Sequence, residues 1–287
     1  MFQEHYFRAK DGLKLYARSY GLKTGQGRSP IVCLPGLTRN SRDFHDLAVF
    51  LASPEGGAQA IVSLDYRGRG QSARDDDKSR YAIPVEAEDI VTACAHFGID
   101  GATFIGTSRG GLILHHLAAT APALITRAIL NDIGPVIELA GLLTIRDYLN
   151  SKDGPASWAA APDYLRGLHG RDFPILTADD WRDMAEAIYR DQNGTPIADY
   201  DPAIAAQLLG LTGESVLTPL WPQFDAFSNI PMMVVRGEYS RLLSEATVQE
   251  MARRHSGLVT VTATGQGHAP LLHFDGLKQA IGDFLRG

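Results

Sequence analysis

Cysteine is nearly absent from this chain: Cys33 and Cys94 are the only two in 287 residues. Both fall in apolar segments; their spacing makes no metal-binding motif, and a disulfide between them is the alternative to two reduced thiols. They are expected to be reduced core residues of a cytoplasmic protein. Long apolar runs are missing as well. Nothing approaches the roughly 20 consecutive residues that span a bilayer. The opening "MFQEHYFRAKDG" lacks the basic start and apolar stretch of a secretory signal. Basic excess is missing too: the net charge is -6, and groupings such as "ARDDDKSR" are short and interrupted by acids. No nucleic-acid surface is expected from that pattern. Nor is there a Gly-rich phosphate loop, a metal cluster or a haem signature, so neither metal nor cofactor is expected. A second copy of the chain is a candidate partner.

What is present is a rhythm. "EHYFRA" and "KLYARSY" alternate around Asp11-Gly12 and predict a hairpin. Short β-rich runs then alternate with helical periods: "PIVCL" (30–34), "QAIVSL" (59–64), "ATFIGT" (102–107), "LITRAIL" (124–130), "PMMVVRG" (231–237) and "LVTVTA" (258–263). "DFHDLAVFLAS" and "VEAEDIVTACAHFG" are the clearest helical stretches. This alternation predicts an α/β fold with a mostly parallel central sheet and helices on both faces. Between 134 and 229 the rhythm breaks. That segment holds all three tryptophans, Trp158, Trp181 and Trp221, but no clean buried strand. The expected organisation is a core of 1–133 and 230–287 carrying a helical cap, 134–229.

The chemistry concentrates in "FIGTSRGG", where Ser108 sits between Gly106 and Gly110. A strand running straight into a helix forces a sharp turn with the serine at its apex, in a strained backbone conformation. The helix that starts there favours negative charge. A serine hydroxyl is a poor nucleophile until a base takes its proton, and a tetrahedral intermediate needs amide donors. "CLPGLTRN" ends the first parallel strand, so the Leu37 and Arg109 amides are the candidate oxyanion hole. Gly36 lets substrate approach the backbone.

Together with "DYRGRGQS" (65–72) and the late "GQGHAP", these motifs resemble the α/β-hydrolase superfamily in order and spacing across the chain outside the cap. The family's usual His-Gly pair is Pro35-Gly36 here, which leaves the amides intact. The resemblance implies a serine hydrolase of small-molecule catabolism, acting on an ester, lactone, amide or C–C bond beside a carbonyl.

Of nine histidines, His268 follows the last strand in a flexible Gly-rich loop that reaches back over the sheet edge, and the resemblance implies the same residue. His273 is its rival. The acid is less plain. The loop that usually supplies it reads "RGEYSRLLS", with Arg241 where aspartate is expected, and arginine cannot accept an imidazole N–H. Asp132, ending the strand after the elbow helix, and Glu238, early in that loop, both remain. Asp132 is favoured because haloalkane dehalogenases, some cofactor-independent ring-cleaving dioxygenases and (acetamidomethylene)succinate hydrolases carry their acid at the matching place. The Arg109 side chain is a candidate for a substrate carboxylate, or else for a salt bridge. Two other activities stay open: cofactor-free dioxygenation, with His268 as base, and non-enzymatic ligand reception.

Overall fold

The N-terminal hairpin forms where the alternation places it. β1 (Gln3–Arg8) and β2 (Lys14–Tyr20) pair antiparallel, and Gly12 takes the φ of +87° that the turn between them requires. The computed structural model describes residues 1–22, 29–151 and 153–287, apart from the side chain of Asp275.

Next come β3 (Ile31–Leu34), α1 (His45–Ala52), β4 (Ile61–Asp65), α2 (Ile83–His96), β5 (Ala102–Thr107), α3 (Arg109–Thr120) and β6 (Ile125–Asn131). Every residue of β3, β4 and β5 is buried, as their short, mainly apolar runs suggest for strands covered on both faces. The interposed segment contributes α4 (Leu139–Leu149), α5 (Ala161–His169), α6 (Ala178–Ile188), β7 (Tyr189–Gln192), β8 (Thr195–Ala198), α7 (Pro202–Ala206) and α8 (Trp221–Asp225). The chain then returns to the sheet with β9 (Met232–Gly237), α9 (Glu245–Arg254), β10 (Val259–Ala263) and α10 (Asp275–Arg286).

The strands form one eight-stranded sheet in the order β1-β2-β4-β3-β5-β6-β9-β10. From β4 to β10 all pairings are parallel; β1 and β2 are antiparallel additions at one edge. Strand period 2 divides the core. Val32, Leu34, Met232 and Val234 face one way, under residues of α2, α3 and α9 such as Ile90, Ile113 and Met251. Ile31, Cys33, Met233 and Val235 face the other, under Leu47 and Leu51 of α1 and Ile281 of α10. Cys33 and Cys94 are both free and buried.

The segment 134–229 differs in one respect from the sequence expectation. It contains a two-stranded hairpin, β7–β8, separate from the main sheet. Its turn is Asn193-Gly194, both at positive φ, which is the strongest short-range hairpin signal and was legible in "DQNGTP". Helices α5 and α6 bury their own cluster around Leu165, Phe173, Trp181 and Met184. Phe224 and Phe227 are buried in the sheet's own core instead, and Trp221 packs against it.

The chain leaves β3 toward β4 on one side and then crosses to β5 on the other. Strand order therefore reverses between β3 and β5, and a crevice opens at their carboxyl ends. That is where open α/β sheets bind ligands.

Candidate active site

Ser108 stands at that crevice, between β5 and the first turn of α3, at φ +51° and ψ −112°. Such a conformation in a residue with a side chain persists only where its surroundings over-determine it. They do so here. A β-carbon on Gly106 would lie 2.7 Å from the carbonyl carbon of Gly110, and one on Gly110 would lie 2.2 Å from the Leu34 oxygen. The Ser108 amide donates to Asn131 O at 3.1 Å, binding the apex to the end of β6.

His268 arrives from the loop after β10. Asn131 Nδ2 donates to Pro270 O at 3.0 Å, and the Leu271 amide donates to Gln266 Oε1 at 2.7 Å, so both flanks of the loop are tied. The imidazole meets Ser108 Oγ through Nε2 at 2.9 Å and Asp132 Oδ2 through Nδ1 at 2.8 Å. Asp132 is fully buried at φ +53°. Its Oδ1 accepts from the Gly237 amide at 2.8 Å, and its Oδ2 also accepts from Ser240 Oγ at 2.6 Å. A carboxylate can only accept, so Nδ1 carries the hydrogen and Nε2 is left with a lone pair facing the serine.

Glu238 goes elsewhere. It is exposed, and its Oε2 accepts from the Gly265 amide at 2.7 Å without touching His268. His273 lines a different cavity, away from Ser108. Ser240, which no sequence motif singles out, joins the cluster through its hydroxyl and lies in the same loop as Arg241.

Gly36 and Leu37 lie beside the serine, since a β-carbon on Gly36 would stand 3.9 Å from that of Ser108. Among the described residues, neither the Leu37 amide nor the Arg109 amide has a hydrogen-bond acceptor. The Arg109 guanidinium does not reach the cavity. Nε donates to Glu86 Oε2 at 2.6 Å and Nη2 to Tyr81 O at 3.0 Å, so the salt-bridge reading of this side chain replaces the substrate-carboxylate one. Arg241 is exposed and pairs with Asp172 at 3.2 Å.

Above Ser108 is a cavity of about 420 Å³. Among the aromatic residues of 134–229, Tyr164 and Tyr189 line it; Trp158, Trp181 and Trp221 do not. Sequence reading missed Arg39, Tyr148, His169 and Tyr200, which line it as well. Burial, with the Arg39 cation a lesser cause, pushes His169 down to about 4 and leaves it neutral. Burial pushes Tyr148 up to about 12, so that phenol is neutral too. Arg39 is itself neutralised by Asp43, which accepts from its Nε at 2.7 and 2.8 Å. Apart from the exposed Asp153 carboxylate, the wall can therefore form hydrogen bonds while presenting little net charge. Among the described residues no group of three or more His, Cys, Asp or Glu is placed to hold a metal, and no helix is long and apolar enough to cross a membrane.

Residues 29–255 match the alpha/beta hydrolase fold family. This chain is an α/β-hydrolase. It is similar to the 3-hydroxybutyrate-oligomer hydrolase of Cupriavidus necator, with 32% identity over 84% of this chain and 82% of that protein. In three dimensions it resembles an alpha/beta hydrolase from Novosphingobium aromaticivorans, at 36% identity and a TM-score of 0.90, covering 99% of this chain and 98% of the other. The structure of E-2-(acetamidomethylene)succinate hydrolase is also similar, at 25% identity and a TM-score of 0.80, covering both chains completely.

Proposed function

We propose that this hydrolase cleaves carboxylic esters of small hydroxylated or otherwise oxygen-bearing acids, with Ser108 as nucleophile, His268 as base and Asp132 as the acid that holds it. The supporting observation is the unbroken hydrogen-bonded relay from Asp132 through His268 to Ser108, ending below a cavity with two unpaired amides beside it.

Ser108 Oγ attacks the ester carbonyl carbon while His268 Nε2 takes its proton. The carbonyl oxygen, now negative, is held by the Leu37 and Arg109 amides. His268 returns the proton to the departing alkoxide, the alcohol leaves, and an acyl-serine remains. Water then repeats the cycle, with His268 again as base, and releases the acid. Asp132 fixes the tautomer and steadies the imidazolium.

Esters are preferred over lactones, amides and C–C bonds because an oligoester hydrolase stands among the relatives and the largely neutral, phenol-lined wall suits uncharged carbonyl and hydroxyl oxygens. Residues 134–229 act as the cap, since Tyr148, Tyr164, His169, Tyr189 and Tyr200 all come from it. Two buried free thiols fit a cytoplasmic location.

The test is labelling by a fluorophosphonate, followed by turnover of p-nitrophenyl butyrate and 3-hydroxybutyrate. Labelling of Ser108, its loss in His268→Ala and turnover of both esters are expected. Substrate-dependent oxygen uptake that persists in Ser108→Ala, or tight ligand retention without turnover, would overturn the hydrolytic reading.

A further inference from the structure

Glu86 of α2 touches no part of the cavity and has no exposed surface, yet its two oxygens serve two different arginines. Oε1 accepts from Arg69 Nη1 at 2.7 Å; Oε2 accepts from Arg109 Nε at 2.6 Å. Arg69 is buried as well, and it reaches onward, with Nε donating to the Leu37 carbonyl at 2.9 Å and Nη1 to the Arg67 carbonyl at 2.8 Å. The chain of contacts Leu37–Arg69–Glu86–Arg109 thus joins two separate segments: the loop after β3 and the first turn of α3. Its two ends are the two residues whose unpaired amides flank Ser108.

We propose that Glu86 is a positioning residue, which holds the Leu37 and Arg109 amides in register for the tetrahedral oxyanion. The proposal rests on the ester-hydrolysis reading above and deepens it. An oxyanion hole works only when both donors stand about 2.7–3.1 Å from one oxygen, and no covalent link fixes these two segments to each other. Burying a carboxylate between two guanidinium groups is a costly way to gain stability, since a packed apolar cluster of similar volume serves as well or better. What the ionic bridge adds is direction, through hydrogen bonds of fixed geometry at both ends.

Field and geometry make opposite predictions here. Arg69 and Arg109 share one carboxylate, so the cluster carries one net positive charge behind the site. Neutralising Glu86 raises that charge and, by the field alone, would favour an oxyanion. Losing the bridge would instead misplace its donors.

The experiment compares an oxo ester with the corresponding thiono ester, whose sulfur is larger and a poorer acceptor, in the wild type, Glu86→Gln and Arg109→Met. Arg109→Met keeps the backbone amide and leaves Arg69 and Glu86 as a balanced pair, so it decides the matter if Glu86→Gln fails to fold. For the oxo ester we expect kcat to fall about 10- to 100-fold with KM changed less than about twofold, and the oxo/thiono preference to shrink by a similar factor. Restoring the carboxylate one methylene short, in Glu86→Asp, cannot span both arginines and should rescue kcat only in part. A wild-type oxo/thiono ratio in the folded variants, or a kcat raised by Glu86→Gln, overturns the proposal alone. A wild type that cleaves neither ester overturns it together with the hydrolytic reading.

Discussion

The Asp132 carboxylate and the His268 imidazole, 136 positions apart in the chain, meet at 2.8 Å at the carboxyl end of the sheet. Asp132 follows β6 directly, and its amide donates to Val235 O at 2.7 Å. The residue is therefore seated by sheet pairing rather than by a free loop. Exchanging its charge while keeping its shape tests whether that seat matters. Asp132→Asn should lower kcat on esters by about 10³–10⁴-fold, because the amide presents a donor where Nδ1–H needs an acceptor. Glu238→Gln should stay within about twofold of wild type. The reverse result would move the acid to Glu238.

Ser240 donates to the same Asp132 oxygen that His268 contacts. Ser240→Ala removes that bond while preserving packing, and a lost hydrogen bond to a charged group is worth about 1.5–3 kcal/mol. The expected consequence is a roughly tenfold lower kcat with KM nearly unchanged. A variant as active as wild type would mean that the hydroxyl only shapes its loop, where it also accepts from the Leu242 and Leu243 amides.

Gly110→Ala places a β-carbon 2.2 Å from the Leu34 carbonyl oxygen, backbone against backbone, where no side chain can swing away. We expect a loss of about 1–3 kcal/mol in urea unfolding, because overpacking forces the elbow away from β3. Fluorophosphonate labelling of Ser108 should fall with it. Gly167→Ala, inside α5 with nothing within 4 Å of the new carbon, is the control and should be stabilising by about 0.4–1 kcal/mol rather than destabilising.

His115 gives the fold a dependence on pH. It is fully buried on the core-facing side of α3, with Nδ1 bonded to the Gly111 carbonyl at 2.7 Å and, among the described residues, no partner for Nε2. Burial pushes its pKa down to about 4 from 6.5. The unfolded chain therefore binds a proton that the folded one refuses, between those two values. The stability contributed by neutral His115 is complete above pH 6.5 and is lost as pH falls toward 4, a change on the order of 3 kcal/mol. Urea midpoints measured from pH 7 to 4 should show this slope together with that of His169, which burial also pushes down to about 4, and His115→Gln should make it shallower by the His115 share. An identical slope in the variant would place the effect elsewhere.

The elbow and its histidine were legible because each is local. Gly106 and Gly110 bracket Ser108 within five residues, and His268 sits in its own Gly-rich loop. The mostly parallel sheet was legible for a related reason, since strands covered on both faces read as short, mainly apolar runs. The Asn193-Gly194 hairpin is hard to read although its turn signal is present, because its strands are mostly half-buried or exposed and lack the buried pattern that marks the others. The cavity wall was not legible at all. Tyr148, His169 and Tyr200 lie on separate elements, and nothing in their local sequence distinguishes them from residues that merely pack.

Sequence alone determined which backbone can make the turn at Ser108, because steric exclusion of a β-carbon at Gly106 and Gly110 acts over a few ångströms of contiguous chain. It also determined the layered fold, since the period of apolar residues dictates which faces can be hidden from water. Tertiary structure set Asp132 rather than Glu238 against His268, turned the Arg109 guanidinium away from the cavity, and brought Glu86 between two arginines. Those outcomes depend on where distant strands end relative to one another, a distance that no one-dimensional pattern encodes.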